Sequence, residues 1–224
     1  MTENPLQTQT IDRTAAVVRG VVGAVPVIGP LVAEVISGVI PGQKLQRLEQ
    51  WLHLFSTRVH SLEDGVKRLN DRLRTPKGSD LLEDALLEAS RAVSDERLER
   101  LASLFANGLA GLDFEHDRVK TLSRLFGNLT DAEIVLLTFY AQPPTLSSPW
   151  HKAMMERHPE ILKPVSRAMG SPQSEIDRGA LQDHRKDTLL RLGLLQSDDR
   201  STSITSLGRL LVNQVVDESL FEGS

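Results

Sequence analysis

QKLQRLEQWLHLFSTRVHSLEDGVKRLNDRLR, residues 43–74, decides the fold class. Within it Leu45, Leu48, Leu52, Phe55, Val59, Leu62, Val66, Leu69 and Leu73 recur at alternating spacings of three and four residues, the a/d seam of a coiled coil. The periodicity predicts one unbroken helix of about 30 residues, about 45 Å long at 1.5 Å per residue. In two parallel copies Lys44 would face Glu49 and Arg58 would face Glu63, so homodimerisation through this seam is one expectation. Trp51 and Leu54 widen the apolar stripe, and Gly65 costs about 1 kcal/mol in helix propensity. Both features fit packing inside a multi-helix bundle of the same chain, and helix exchange would reconcile the two expectations.

The composition on either side agrees with helices packed on helices. Of the 224 residues 40% are hydrophobic and 25% charged, but only 4% are aromatic, and Leu and Ala outnumber β-branched residues over most of the length. The length suits one large domain or two small ones. The absence of cysteine excludes disulfides, thiolate metal sites and cysteine nucleophiles, and it suits a reducing, cytoplasmic setting. Charge is unevenly spread. Residues 1–78 hold ten Lys/Arg against seven Asp/Glu, net +3, and the remainder 16 against 23, net −7. The first third would be drawn weakly to an anionic membrane surface, whereas the acidic remainder is a poor bulk ligand for nucleic acid.

Upstream of the heptads lies an apolar segment, residues 14–41. Its only charges are Arg19 and Glu34, with GVVGAVPVIGPLVA uncharged for 14 residues. A spanning helix needs roughly 20 apolar residues, and Pro26, Gly29 and Pro30 interrupt this one. Two short apolar helices are expected, about 14–24 and 30–40, meeting at Val25–Pro30 and presenting Val21, Val22, Val25, Val27, Ile28, Leu31, Val35 and Ile36. Such a hairpin is ordinary core, a membrane-active or oligomer-forming element shielded at rest, or a permanent membrane anchor. No signal peptide is expected, because the stretch starts late, follows Asp12 and lacks a basic lead.

Downstream, the break Thr75-Pro76-Lys77-Gly78 predicts a helix capped by Ser79 with Leu82, Ala85, Leu86, Ala89 and Val93 inward. Ser94 predicts the cap of the next, with Asp95 and Glu96 in its first turn where the helix dipole favours acids. A third helix is expected at about 115–126. The run LLEDALLEASRAVSDERLERLASLFANGLAG, residues 81–111, resembles the core of the Abi-alpha group of bacterial abortive-infection proteins at Leu98, Leu101, Leu104, Phe105, Ala106, Asn107 and Leu109. The resemblance covers about 30 mostly apolar residues. It implies a role in defence against phage and carries over no active-site residue.

Thr130 and Glu133 form a capping box before DAEIVLLTFYA. A helix at about 181–192 is then expected, followed by Gly193-Leu194-Leu195, a turn at Ser197–Arg200, Ser203-Ile204-Thr205, and a last helix capped by Thr205. The pattern LxxLGLL…ITxLGRLLxxxV is similar to a winged helix. In that reading Arg185, Lys186, Arg191 and Arg200 would meet nucleic-acid phosphates. Yet residues 183–200 carry four positive and four negative charges, so protein contact is the stronger expectation.

Catalytic, cofactor and metal sites are expected to be absent. No P-loop, HExxH, GxSxG or dinucleotide motif occurs, and the six histidines (53, 60, 116, 151, 158, 184) match no zinc spacing. His53 and His60, seven apart on the outer face of the heptad helix, are either a weak metal or pH-sensing pair or, as the stronger expectation, ordinary exposed helix polarity. The expected fold is therefore mainly all-α: a helical bundle over 1–127 and a winged-helix-like module with a short β-hairpin over 128–224. The expected function is a non-enzymatic protein of phage defence. It would act by oligomerisation and membrane perturbation through residues 14–41, with a second copy or another protein as partner, in the cytoplasm or peripherally at the inner membrane. The alternative is a DNA-binding regulator dimerising through residues 43–74.

Overall fold

The computed structural model describes residues 44–142, 148–166, 168, 170–198 and 201–216. The apolar segment 14–41, with every hairpin residue named above, lies outside them, as does Arg200. The described chain is mainly helical, with one two-stranded antiparallel sheet. It divides into two compact units at Ser123/Arg124.

The first unit contains α1 (Leu45–Ser61), α2 (Gly65–Leu73), α3 (Pro76–Arg91), α4 (Asp95–Ala110) and the beginning of α5 (His116–Gly127). The heptad stretch is thus two helices of 17 and 9 residues rather than one. The helix ends where Leu62 turns extended (ψ 132°), and Asp64 adopts the left-handed conformation (φ 51°). Gly65 makes this corner possible, because a Cβ there would lie 2.2 Å from the Val59 carbonyl oxygen. The bend also sends two arginines of α2 to the C-terminus of α4, which has no basic residue in its own last turn. Arg68 Nε donates to the Ala110 carbonyl at 2.7 Å, and Arg72 Nη1 and Nη2 donate to Leu109 and Leu112 at 2.9 and 3.2 Å. These cations satisfy carbonyls that every helix end leaves open. Arg68 also bonds back to the Glu63 carbonyl, tying the corner to α2.

α1 packs chiefly on α4, and α3 closes the bundle against both. Trp51, Phe55, Leu48, Leu52, Leu81, Leu82, Leu86 and Phe105 are buried in this core, with the Trp51 and Phe55 rings stacked at 4.9 Å. The helix expected to begin at Ser79 begins instead at Pro76, with Thr75 as its cap accepting from Gly78 N. Pro at the first helical position loses no hydrogen bond, and Gly78 is there because a Cβ would sit 2.1 Å from the Arg72 carbonyl oxygen. Ser94 caps α4 as expected, accepting from Arg97 N.

The second unit holds α6 (Asp131–Ala141), α7 (Pro149–Arg157), α8 (Pro159–Leu162), α9 (Gln173–Arg191), β1 (Leu195–Ser197), β2 (Thr202–Ile204) and α10 (Ser206–Val215). The Thr130/Glu133 capping box forms with both bonds present. α6 is the hub, contacted by α8, α9, α10 and β2. Its C-terminal Ala141 carbonyl accepts from Arg209 Nη1 of α10 at 3.0 Å. α9 starts eight residues before the expected Lys/Arg-rich helix. The polar stretch 173–180 is helical because its inner side is used: Gly179 lies 3.0 Å, by its would-be Cβ, from a Val165 methyl. One turn on, Gln182 donates to the Lys163 carbonyl.

α9 ends in a Schellman motif. Gly193 takes φ 69°, Leu194 N donates to Leu189 O at 2.9 Å and Gly193 N to Leu190 O at 3.0 Å. The hairpin pairs Leu195 with Ile204, Gln196 with Ser203 and Ser197 with Thr202. Thr205 then caps α10, whose Gly208 approaches so closely that a Cβ would be 2.2 Å from the Leu194 carbonyl oxygen. Both glycines of the LGLL…LGRLL pattern therefore answer a local need: one supplies a positive φ, the other a close backbone approach.

Candidate functional site

Three surfaces compete for the role of functional site. The first is the heptad seam. Leu48, Leu52, Phe55, Val59, Leu69 and Leu73 are all buried, and Leu62 and Val66, which flank the bend, are half-buried. α4 of the same chain fills the groove along α1, so the seam is satisfied internally. His53 and His60 are exposed, and His60 Nδ1 lies 2.7 Å from the Ser56 carbonyl of its own helix.

The second surface is α9. Its buried residues are Gly179, Thr188 and Leu189. At 100° per residue, Arg178, Gln182 and Arg185 share the Leu189 side of the helix. Arg185 and Lys186, expected to meet phosphate, are half-buried, while Arg191 is exposed. The outward side carries Asp177, Asp183 and Asp187 with His184 and Arg191, beside the exposed apolar Ile176 and Leu181. An outward face with three carboxylates and one arginine gains nothing from counterion release on DNA. The count of four charges of each sign concealed this, because the fold half-buries Arg185 and Lys186 and leaves Asp183 and Asp187 exposed.

The third surface is a half-buried aromatic group. The Phe139 ring stacks on Trp150 at 6.4 Å and meets the His151 ring edge-on at 4.7 Å, and Trp150 and His151 meet at 5.0 Å. Burial pushes the neighbouring Tyr140 phenol above its ordinary pKa. Aromatic side chains with a polar tip, partly open to water, are enriched where proteins meet partners. The sequence shows these residues but not their convergence, since they come from separate helices, α6 and α7.

A fourth arrangement is electrostatic, and its only trace in the sequence is the i,i+4 spacing within each of two separate helices. On α3, Asp80 and Asp84 lie one turn apart, as His116 and Lys120 do on α5. His116 Nε2 is 2.8 Å from Asp80 Oδ2, and Lys120 Nζ lies 2.9 Å from the same oxygen and 2.6 Å from Asp84 Oδ2. His116 Nδ1 is 3.0 Å from Asp117 Oδ1. Among the described residues no group of three or more His, Asp or Glu could hold a metal ion, and no helix is long and apolar enough to cross a membrane. No family model matches the chain, and no curated protein or solved structure matches it either.

Proposed function

We propose that the protein is a non-enzymatic helical effector of bacterial defence against phage, of the abortive-infection type, acting by oligomerisation and by membrane perturbation through residues 14–41. The second unit serves as the regulator, taking a protein partner on its open surfaces. The observation that carries this reading is the filled seam of α1 and α2: a heptad pattern suited to a second copy is occupied by the chain's own α4, so self-association requires α4 to be exchanged. Such a bundle has two ways of burying the same leucines, and the apolar segment is joined directly to it. The similarity of residues 81–111 to the Abi-alpha group supports the defence role. The DNA-regulator alternative gains no support from the acidic outward face of α9.

The test is leakage of anionic vesicles and growth arrest on expression, comparing the full chain with one lacking residues 14–41. The expected result is toxicity and leakage for the full chain alone. Equal toxicity without residues 14–41 overturns the membrane role, and a full chain that stays monomeric while lysing vesicles overturns oligomerisation.

A further inference from the structure

Both ring nitrogens of His116 lie within hydrogen-bonding distance of carboxylates, Nε2 of Asp80 at 2.8 Å and Nδ1 of Asp117 at 3.0 Å. A neutral imidazole has one N–H and one lone pair, so it would set a lone pair against a carboxylate, whereas the imidazolium donates to both. The side chains of His116 and Lys120 are 17% and 19% exposed and that of Asp80 46%, so the contacts with Asp80 are partly shielded, whereas Asp117 is 98% exposed and its contact lies open to water. Their position matters. α5 is the element within which the chain passes from one compact unit to the next. α5 also packs less closely on the first unit than α1 to α4 pack on one another. Its close contact with α4 is at Gly108, an uncharged position, where a Cβ would come within 2.8 Å of both Val119 methyls. The ladder links it to α3, while Val119, Leu122 and Phe126 bury its apolar side whatever the charge on His116.

We propose that His116 is a proton-operated latch, clamping α5 onto α3 through Asp80 when its imidazole is charged and loosening that helix when the proton leaves. The charged groups around it are Lys77, Asp80 and Asp84 from α3 and Asp117 and Lys120 from α5. Asp80 and then Asp117 hold the His116 pKa above its ordinary value, against the effect of burial. A raised imidazole pKa gives stabilisation that is complete below about pH 6.5 and is lost as the pH rises through the folded value. Lys120 and then His116 hold the Asp80 carboxyl below its usual range, so its share is present above about pH 4 and lost as the pH falls through the folded value. Burial pulls the Lys120 pKa down, but its bonds to Asp80 and Asp84 outweigh that, and it stays charged throughout. The latch is tightest between about pH 4 and about pH 6.5, and it slackens towards pH 8 with Lys120 still bound.

The experiment is amide hydrogen exchange on the full chain at about pH 5.5 and about pH 8, corrected for intrinsic rate, with the His116 ring proton followed by NMR. Relative to α4, the amides of α5 are expected to exchange about three to ten times faster at the higher pH. This change should vanish in His116→Gln and shrink in Asp80→Asn, and the ring should titrate above about 6.5. The same pH dependence in His116→Gln, or a ring that titrates at or below its ordinary value, overturns the proposal. The ring titration needs only the unaltered protein, so it decides the matter even where a variant fails to fold.

Discussion

The two compact units use similar helices to opposite ends. In the first, Trp51, Phe55 and Phe105 are 0% exposed, and α1 to α4 each turn an apolar face inward. In the second, α7 and α8 contribute no buried residue, α9 buries only three of nineteen, and Ile176 and Leu181 stand 51% and 53% exposed. The first unit packs its aromatic rings into its core but leaves Val93, expected to face inward, and Leu112 79% and 81% exposed just before and just after α4. The second already presents apolar and aromatic groups, Ile176, Leu181, Phe139 and Trp150, where a partner can reach them.

Phe55→Ala tests the contrast most severely. It removes a fully buried ring stacked on Trp51 and should cost about 3–5 kcal/mol, read by urea unfolding from Trp51 fluorescence in a Trp150→Phe background. A loss under about 1 kcal/mol would mean that the heptad seam is not the core of its unit. A smaller effect is expected at the corner. Gly65→Ala drives a Cβ into the Val59 carbonyl and should cost about 1–3 kcal/mol in the same measurement. A gain in stability would instead show that the bend relaxes into the straight helix that the heptads describe. The smallest effect belongs to the open unit: Leu181→Lys should change its thermal unfolding, followed by circular dichroism, by less than about 0.5 kcal/mol. A larger loss would mean that the outward face of α9 is already covered.

Much of this was legible before any coordinates, and the misses have physical causes. The heptads correctly marked residues 43–74 as helical and apolar on one side, yet they extend across a corner. Leu62 and Val66 keep the register even though the backbone leaves the helix at Leu62-Glu63-Asp64 and re-enters it at Gly65. By sequence Gly65 is only a weak helix former, whereas its use is to let the chain pass the Val59 carbonyl. The Thr75–Gly78 stretch reads as a break because proline and glycine adjoin, but proline is welcome in a first turn. The ladder of Asp80, Asp84, His116 and Lys120 has a faint signal, an acidic i,i+4 pair and a basic i,i+4 pair on separate helices. Nothing local says that those helices face each other.

The sequence by itself determined the helical class, the caps at Ser94, Thr130 and Thr205, the Gly193 terminus and the hairpin that follows it. Each of these depends on hydrogen bonds or backbone conformations within a few residues, so the identity of the neighbours suffices. Only the tertiary structure decided that α2 turns back to cap α4 with Arg68 and Arg72, that α9 exposes its aspartates and half-buries Arg185, and that His116 meets Asp80. Those choices join residues 36 to 42 positions apart or select one face of a helix. They are set by which apolar surfaces fit together, a competition among whole elements that no short stretch of sequence records.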